Sequence, residues 1–325
     1  MKLFGIKFIL SVLCNFTAAV LFFGHSPLAA VFTLWVAFLL NCMEVKSYAT
    51  PFQFVNYHLQ TLFLGFVIDT TLSQPYYLYT GIGFVLSFTG MLRLELFSRW
   101  GFNKYNWSEG LALLAAYSIY VYAGFEHPTD WRGWVLPIFP MLFMTMIGSN
   151  IVKDGKRINQ EGGSKIKAEA GQPAINFSLP DNQGGSISLS DFKNKNHVLL
   201  LFVRGDWCPT CHIMIRTYEK NREKFAEKNV VTIGISPDTS EVNAEMIRRL
   251  GLKNILLTDS SQEVTRQYGG KFFANGIDSK YPDGIPLPAS VLVDKGGIIR
   301  YVSTPGKAND FLDPSHIFPI VAALN

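Results

Sequence analysis

Charge is what this chain has least of. Asp, Glu, Lys and Arg make up only 17% of its 325 residues, against about 25% in ordinary soluble domains. The shortfall sits before Ile151, so the first half lacks the polar surface of a soluble domain. No basic cluster stands out and the net charge is only +4, which excludes a surface built for nucleic acid. Cysteine is scarce as well. There are four, two of them in a single C-x-x-C, too few to staple a secreted disulfide-rich domain. The C-x-x-C has no second cysteine pair in its half of the chain, so a four-ligand zinc site has too few ligands.

Long apolar runs are abundant. Lys2 and Lys7 precede an apolar run at 8–23. A secretory signal peptide begins this way, but further runs follow at 27–43, 51–68, 77–92, 108–124 and 131–151. Retained spans are therefore the better reading, about six of them by the ~17-residue minimum for crossing a bilayer. The run at 51–68 is the most polar, carrying Gln53, Asn56, His58 and Gln60. Gln53, Asn56 and Gln60 fall on one helical face. Two readings stand beside each other: a polar seam between packed helices, and a ligand or quinone site. Gly83, Ser87 and Gly90 suit close helix packing. Trp100, Trp107, Trp131 and Trp134 lie near span ends, as in an interfacial belt.

If all six runs span, one side holds Lys2, Lys46, Arg93, Arg99, Lys104, Lys153, Lys156 and Arg157. The other holds His25, Asp69, Glu126, His127 and Asp130. The excess of Lys and Arg puts the first side, and with it both termini, in the cytoplasm. This alternation depends on 51–68 crossing. Cys14 and Cys42 differ in depth by roughly 10 Å at 1.5 Å per residue, too far for a bridge, and read as small buried apolar residues.

Residues 153–170 are polar, glycine-rich and without apolar period, and read as a tether along the membrane surface. From 171 onward, strand and helix patterns alternate. Two short strands flank the turn at 181–185. Apolar strands come next at 198–203, 230–235 and 255–258, with helices at 241–250 and 262–268, each ended by glycine. This predicts a largely parallel sheet covered on both faces. A long loop at 271–287, rich in Gly, Asp and Pro, is placed beside the active site. The segment 288–294 pairs with 298–302 in a hairpin, and 314–324 closes the chain as a helix with Pro319 inside it.

The chemistry gathers at VLLLFVRGDWCPTCH, 198–212. A buried strand ends, Arg204-Gly205-Asp206-Trp207 break it, and Cys208-Pro209-Thr210-Cys211 opens a helix. Met214, Tyr218 and Phe225 share one face of that helical stretch. A helix N-terminus favours a thiolate, so Cys208 is expected as the exposed, activated sulfur and Cys211, one turn in, as the resolving thiol. C-x-x-C-H also matches a haem attachment sequence, but strand-to-helix context fits a dithiol better.

Strand, Trp-Cys-x-x-Cys and helix in this order resemble the thioredoxin-like superfamily. The stretch Arg204 to Cys211 and the opening hairpin resemble its AhpC/TSA branch, the redoxins and peroxiredoxin-like proteins. The resemblance implies a thioredoxin-like fold and redox-active Cys208 and Cys211. It gives supporting places to Arg204 and Trp207, and to Pro288 as a cis proline facing the cysteines. It implies no cofactor and no metal. Peroxiredoxins of this kind carry Pro and Thr or Ser where this chain has Leu201 and Gly205, and an Arg where it has Leu287-Pro288. Fast peroxide reduction is thereby the secondary reading.

The expected architecture is an α-helical multi-span membrane domain at 1–152 followed, after a linker, by an α/β thioredoxin-like domain at 171–325. The expected function is a membrane-anchored thiol–disulfide oxidoreductase. A thiol-dependent peroxidase is one alternative, and a membrane carrier governed by a redox-sensing domain is another. The partners are the lipid bilayer and a thiol or disulfide, on a protein or a small molecule, with no nucleic acid. The location is the cytoplasmic membrane, multi-pass, with the redox domain on the cytoplasmic side.

Overall fold

The structure, a computed structural model, describes residues 5–47, 51–73, 76–87, 107–126, 128–161, 166–269, 271–272, 281, 284–303 and 314–324. Arg93, Arg99, Lys104, Gly90, Trp100 and His127 lie outside them. The chain divides into two compact units, one formed mainly by Lys2–Phe97 and Tyr105–Lys153, the other mainly by Asp154–Asn325.

The first unit is helical. Its described helices are α1 (Ile6–Phe23), α2 (Pro27–Ser47), α3 (Pro51–Thr71), α4 (Leu78–Ser87), α5 (Trp107–Glu126), α6 (Trp131–Val135) and α7 (Ile138–Glu161). Among the described residues, two stretches are long and apolar enough to cross a membrane, Ile6–Phe23 and Pro27–Glu44. Pro137 separates α6 from α7, so the run expected at 131–151 as one span is two helices; the ring removes a donor and clashes with the preceding turn. Helix α7 also continues to Glu161 into the expected tether. That part of α7 has no apolar period, which is why the sequence pattern shows no helix there.

The expected seam is present on α3. Ser11 Oγ donates to the Ala37 carbonyl at 2.7 Å and accepts from Gln60 Nε2 at 2.8 Å and Asn56 Nδ2 at 3.1 Å. Gln60 Nε2 also donates to Asn15 Oδ1 at 3.0 Å, and Asn15 Nδ2 donates to Asn56 Oδ1 at 2.8 Å. Asn56 Nδ2 donates further to Asn41 Oδ1 at 3.2 Å. The network ties α1, α2 and α3 together. Gly83 lets α4 lie against α3: a Cβ there would collide with the Thr61 carbonyl oxygen. Asp69, expected as a loop charge, is buried near the end of α3 instead. Its carboxylate accepts from the N–H groups of Tyr79 and Thr80 at 3.0 and 2.7 Å, the otherwise unpaired donors of α4's first turn.

The second unit holds β1 (Ser178–Pro180) and β2 (Ser186–Ser188), then β3 (His197–Phe202), α8 (Pro209–Lys220), α9 (Arg222–Ala226), β4 (Val230–Ser236), α10 (Ser240–Leu250), β5 (Ile255–Thr258) and α11 (Glu263–Tyr268). The short strands β6 (Lys271–Phe272) and β7 (Ile285–Pro286) pair antiparallel. Strands β8 (Ala289–Val293) and β9 (Ile299–Val302) and the helix α12 (Ile317–Ala322) complete it. The five-stranded sheet has the order β5-β4-β3-β8-β9. β3 pairs parallel with β4 and β4 with β5, whereas β3–β8 and β8–β9 are antiparallel. The sheet is therefore mixed rather than largely parallel. Helical crossovers return β4 and β5 in the direction of β3, while β9 follows β8 through a tight hairpin.

β3 is buried along its whole length. Val198, Leu200 and Phe202 join Ile233, Ile235, Val291 and Val293 in one core. Leu199 and Leu201, equally buried, point to the opposite face by the period of two. Met214, Tyr218 and Phe225 are all buried. Pro319 falls in the first turn of α12, after a 3-10 turn at Pro314–His316, so it delays the helix rather than kinking it. The stretch expected as a free tether is docked near its end: Ala168 N donates to the Tyr268 carbonyl at 2.9 Å and Gly171 N to that of Ile299 at 2.7 Å.

Candidate active site

The site forms where β3 and β4 end. β3 carries an unbroken apolar run into the sheet centre, and Gly205 then turns the chain at a φ of +133. A Cβ on Gly205 would lie 2.7 Å from the Tyr281 hydroxyl, 2.9 Å from Trp207 Nε1 and 3.1 Å from Asp238 Oδ2. Only glycine fits both that conformation and that space. This accounts for Gly205 at the position where the resemblance implied Thr or Ser.

Cys208 is the N-cap of α8, and Pro209 follows where the helix needs no N–H. The Cys211 N–H donates to Cys208 Sγ at 3.4 Å, and the Arg204 N–H donates to Cys211 Sγ at 3.4 Å. Both thiols are free. Burial pushes the Cys208 pKa up, but three influences outweigh it. They are the hydrogen bond from Cys211, the charge of Arg204 and the N–H groups of Cys211 and Thr210. The result is a Cys208 pKa lowered from 9.0 to about 7. Burial, the Cys208 hydrogen bond and the Cys208 charge push Cys211 well above the ordinary thiol range. The pair is thus divided into a thiolate former and a held thiol. Exposure, however, differs from expectation: Cys208 is only 2% exposed. Trp207, in the turn itself, packs against a cluster of Tyr281, Ile285 and Leu287. Activation and exposure are separate properties, and position at a helix N-terminus secures only the first.

Arg204 is buried, and its guanidinium carbon lies 5.3 Å from the centroid of the Trp207 ring, a cation–π distance. Trp207 thus has a definite contact, holding the cation that favours the thiolate. The Asp206 carboxylate is engaged by Arg249, with His212 Nε2 at 3.5 Å. It does not figure among the groups that shift Cys208. Pro288 is buried beside the start of β8, but its peptide bond is trans. The cis bond that resemblance implied is absent. The trans form is the intrinsic preference of an X–Pro bond, and here β8 enters directly from it, with Ser290 N donating to Ser303 Oγ at 2.8 Å.

Three further residues reach the site from elsewhere. Asp238, buried after β4, accepts from the Asp206 N–H at 2.7 Å and from the Tyr281 hydroxyl. Ser236 Oγ accepts from the Asp238 N–H at 3.2 Å. Tyr281 comes from the 271–287 loop, so that loop does lie by the site, although 273–280 and 282–283 fall outside the described residues. The ends of parallel strands are the usual place for a site in such sheets, and Ser236-Pro237-Asp238 at the end of β4 is the signal that would have pointed to Asp238. Among the described residues no group of three or more His, Cys, Asp or Glu side chains is arranged to hold a metal ion.

Comparison with known proteins bears on this half alone. A family model described as the AhpC/TSA family matches residues 170–302. The chain is 32% identical over 137 residues to "Putative peroxiredoxin bcp" of Coxiella burnetii, covering 42% of this chain and 89% of that protein. It is 28% identical over 151 residues to the chloroplastic peroxiredoxin Q of Oryza sativa subsp. japonica, covering 46% of this chain and 64% of that one. It is 30% identical over 132 residues to the thiol-disulfide oxidoreductase ResA of Bacillus thuringiensis, covering 40% of this chain and 67% of that one. The chain thus spans less than two thirds of the rice protein's length.

Proposed function

Through its C-terminal half this chain belongs to the AhpC/TSA family, and from that membership we propose that it is a thiol-dependent oxidoreductase working through Cys208 and Cys211, anchored in a membrane by its first unit. The carrying observation is the divided thiol pair: Cys208 with a pKa of about 7 at the helix N-cap, and Cys211 one turn on with its thiol held protonated.

The chemistry runs as two exchanges. The Cys208 thiolate attacks one sulfur of a partner disulfide, forming a mixed disulfide and expelling the other sulfur as a thiolate, which takes up a proton. Cys211 then loses its proton and attacks Cys208 Sγ. The Cys208–Cys211 disulfide forms and the partner leaves as a dithiol, reduced by two electrons and two protons. The relative named thiol-disulfide oxidoreductase ResA supports exchange chemistry of this class. A second reading, reduction of a peroxide by the same thiolate, is favoured by the 2% exposure of Cys208: a small oxidant needs less opening than a protein disulfide. There, Cys208 would take one peroxide oxygen as a sulfenic acid, the second oxygen would leave as water, and Cys211 would expel the sulfenic oxygen as a second water.

Membrane anchoring is supported by α1 and α2, and by large apolar side chains more than half exposed around the first unit. Phe16, Val20, Leu59, Leu114, Phe125 and Leu142 are among them. A soluble surface rarely carries so much apolar area together. The loop charges favour a cytoplasmic redox unit.

The deciding experiment uses the full chain with Cys211→Ser. A mixed disulfide trapped on Cys208, identified by mass, is the expected product. Rapid peroxide consumption by the unaltered chain, with no mixed disulfide from any disulfide tested, would instead favour the peroxidase reading. Failure of Cys208→Ser to abolish both reactions would remove the proposal.

A further inference from the structure

The turn that carries the dithiol also carries a carboxylate. Asp206 lies two residues after Arg204 and two before Cys208, so its Cα is within ~7 Å of both. A negative charge there opposes the Cys208 thiolate and competes with it for Arg204. Yet Asp206 is absent from the groups that shift Cys208, while Arg204 is among them. A compensating cation accounts for that.

Titratable groups face Asp206 from several elements. From the end of β4, Asp238 accepts its N–H at 2.7 Å and also accepts from the Tyr281 hydroxyl of the 271–287 loop. Asp238 adds negative charge and cannot compensate. From α8, His212 brings Nε2 to 3.5 Å from Asp206 Oδ1. Burial, with the charges of Arg249 and Arg216, lowers the His212 pKa below its ordinary 6.5, so this ring is neutral at pH 7. From α10, Arg249 donates through Nη2 to Asp206 Oδ1, and a guanidinium keeps its charge at any pH a protein meets. The other carboxylate near Arg249 is Glu245, 3.9 Å from its Nε and itself held by Arg248. The Arg249 and Asp206 side chains are each less than one-fifth exposed, so salt screens the pair little.

We propose that Arg249 is a positioning residue for the dithiol: by engaging Asp206 from α10 it neutralises the carboxylate in the redox turn and leaves the charge of Arg204 to the Cys208 thiolate. Two cations, Arg204 and Arg249, then balance two anions, Asp206 and the thiolate. Without Arg249, the Asp206 charge stands uncompensated beside Cys208. Without Asp206, Arg249 adds its charge to that of Arg204. The role deepens the dithiol reading above and rests on it.

The test uses the full reduced chain in detergent, with mass-mapped alkylation of Cys208 by iodoacetamide from pH 5 to 10. Arg249→Gln should raise the midpoint by about one pH unit, and Asp206→Asn should lower it by about half a unit. The double variant should return to within about 0.3 unit of the unaltered chain, because the two changes are coupled. Gel filtration confirms folded chains. A merely structural role in holding the turn would move both single variants the same way. Shifts of one sign in both, a double variant as displaced as Arg249→Gln, or an unmoved midpoint in a folded Arg249→Gln chain would each overturn the proposal. If Arg249→Gln does not fold, Asp206→Asn decides alone, and an upward or absent shift overturns it. An unaltered chain in which Cys208 titrates at the ordinary 9.0 instead of about 7 would remove the dithiol reading, and this role with it.

Discussion

At the scale of single residues, the site depends on separating two thiols that are three positions apart. With a pKa of about 7, Cys208 should alkylate with a half-maximal rate near pH 7, while Cys211 stays unreactive until well above pH 9. Mass-mapped labelling of the reduced chain with a small reagent across pH 5–10 measures this; equal rates at the two positions would contradict the assigned roles. Arg204→Met removes a charge that lowers Cys208, so the midpoint should move upward. Burial adds a second expectation. Rates at Cys208 should fall as the reagent grows, since the thiolate is 2% exposed. Gly205 is the other residue on which the site rests. Gly205→Ala puts a methyl into the space between Tyr281, Trp207 and Asp238, at a φ that L side chains rarely adopt. The expected loss is about 2 kcal/mol or more of stability in the second unit, read by thermal unfolding.

At the scale of elements, Asp238 joins three separate pieces: the end of β4, the turn after β3 and the loop bearing Tyr281. Asp238→Ala leaves the Asp206 N–H and the Tyr281 hydroxyl without that acceptor. A loss of roughly 2–3 kcal/mol is expected from buried unsatisfied donors, together with faster proteolysis within 271–287; an unchanged cleavage rate would show that Asp238 does not hold the loop. Long-range junctions of this kind are what the sequence conceals. Strands β3, β4 and β5 and helix α10 are legible because apolar period and glycine stops are local signals, as with Gly251, which ends α10 in the left-handed conformation. The Cys208 helix cap is legible for the same reason. The Asp238–Tyr281 bond is not, because 43 positions separate its partners. Nor is the burial of Cys208, which helix-cap position does not determine. The cis geometry expected at Pro288 was carried over from a resemblance rather than from this chain's residues, and the bond is trans. The polar end of α7 escaped because a helix without an apolar face has no period to read.

At the scale of the whole molecule, the membrane orientation proposed for the first unit turns on α3, which is not one of the two described stretches apolar enough by composition to cross. Pro51–Thr71 is a helix of 21 residues, at 1.5 Å per residue about 32 Å long and sufficient for a ~30 Å core. Its polar side chains do not argue against crossing. Gln53, Asn56 and Gln60 are buried, and the amides of Asn56 and Gln60 are bonded to α1 and α2, so they are presented to protein rather than to lipid. Val55 and Leu59, on the other side of the helix, are exposed. Bonded amides inward and apolar residues outward are what the proposed span would require. If α3 and the other five runs cross, the alternation of loop charge holds, and Lys153 stands on the same side as Lys46. Reporter fusions after Asn325 and within 125–130 should then report opposite sides, with the C-terminus cytoplasmic. The sharper test disrupts α3 alone: Gln60→Leu with Asn56→Leu removes the amides that bind it to α1, so a span held by that network should lose the fixed orientation and give mixed reporter signals. A single, unchanged orientation in that double variant would mean that loop charge suffices without the seam. A periplasmic C-terminus in the unaltered chain would mean that one of the six runs does not cross, and would move the dithiol to a compartment where disulfides persist.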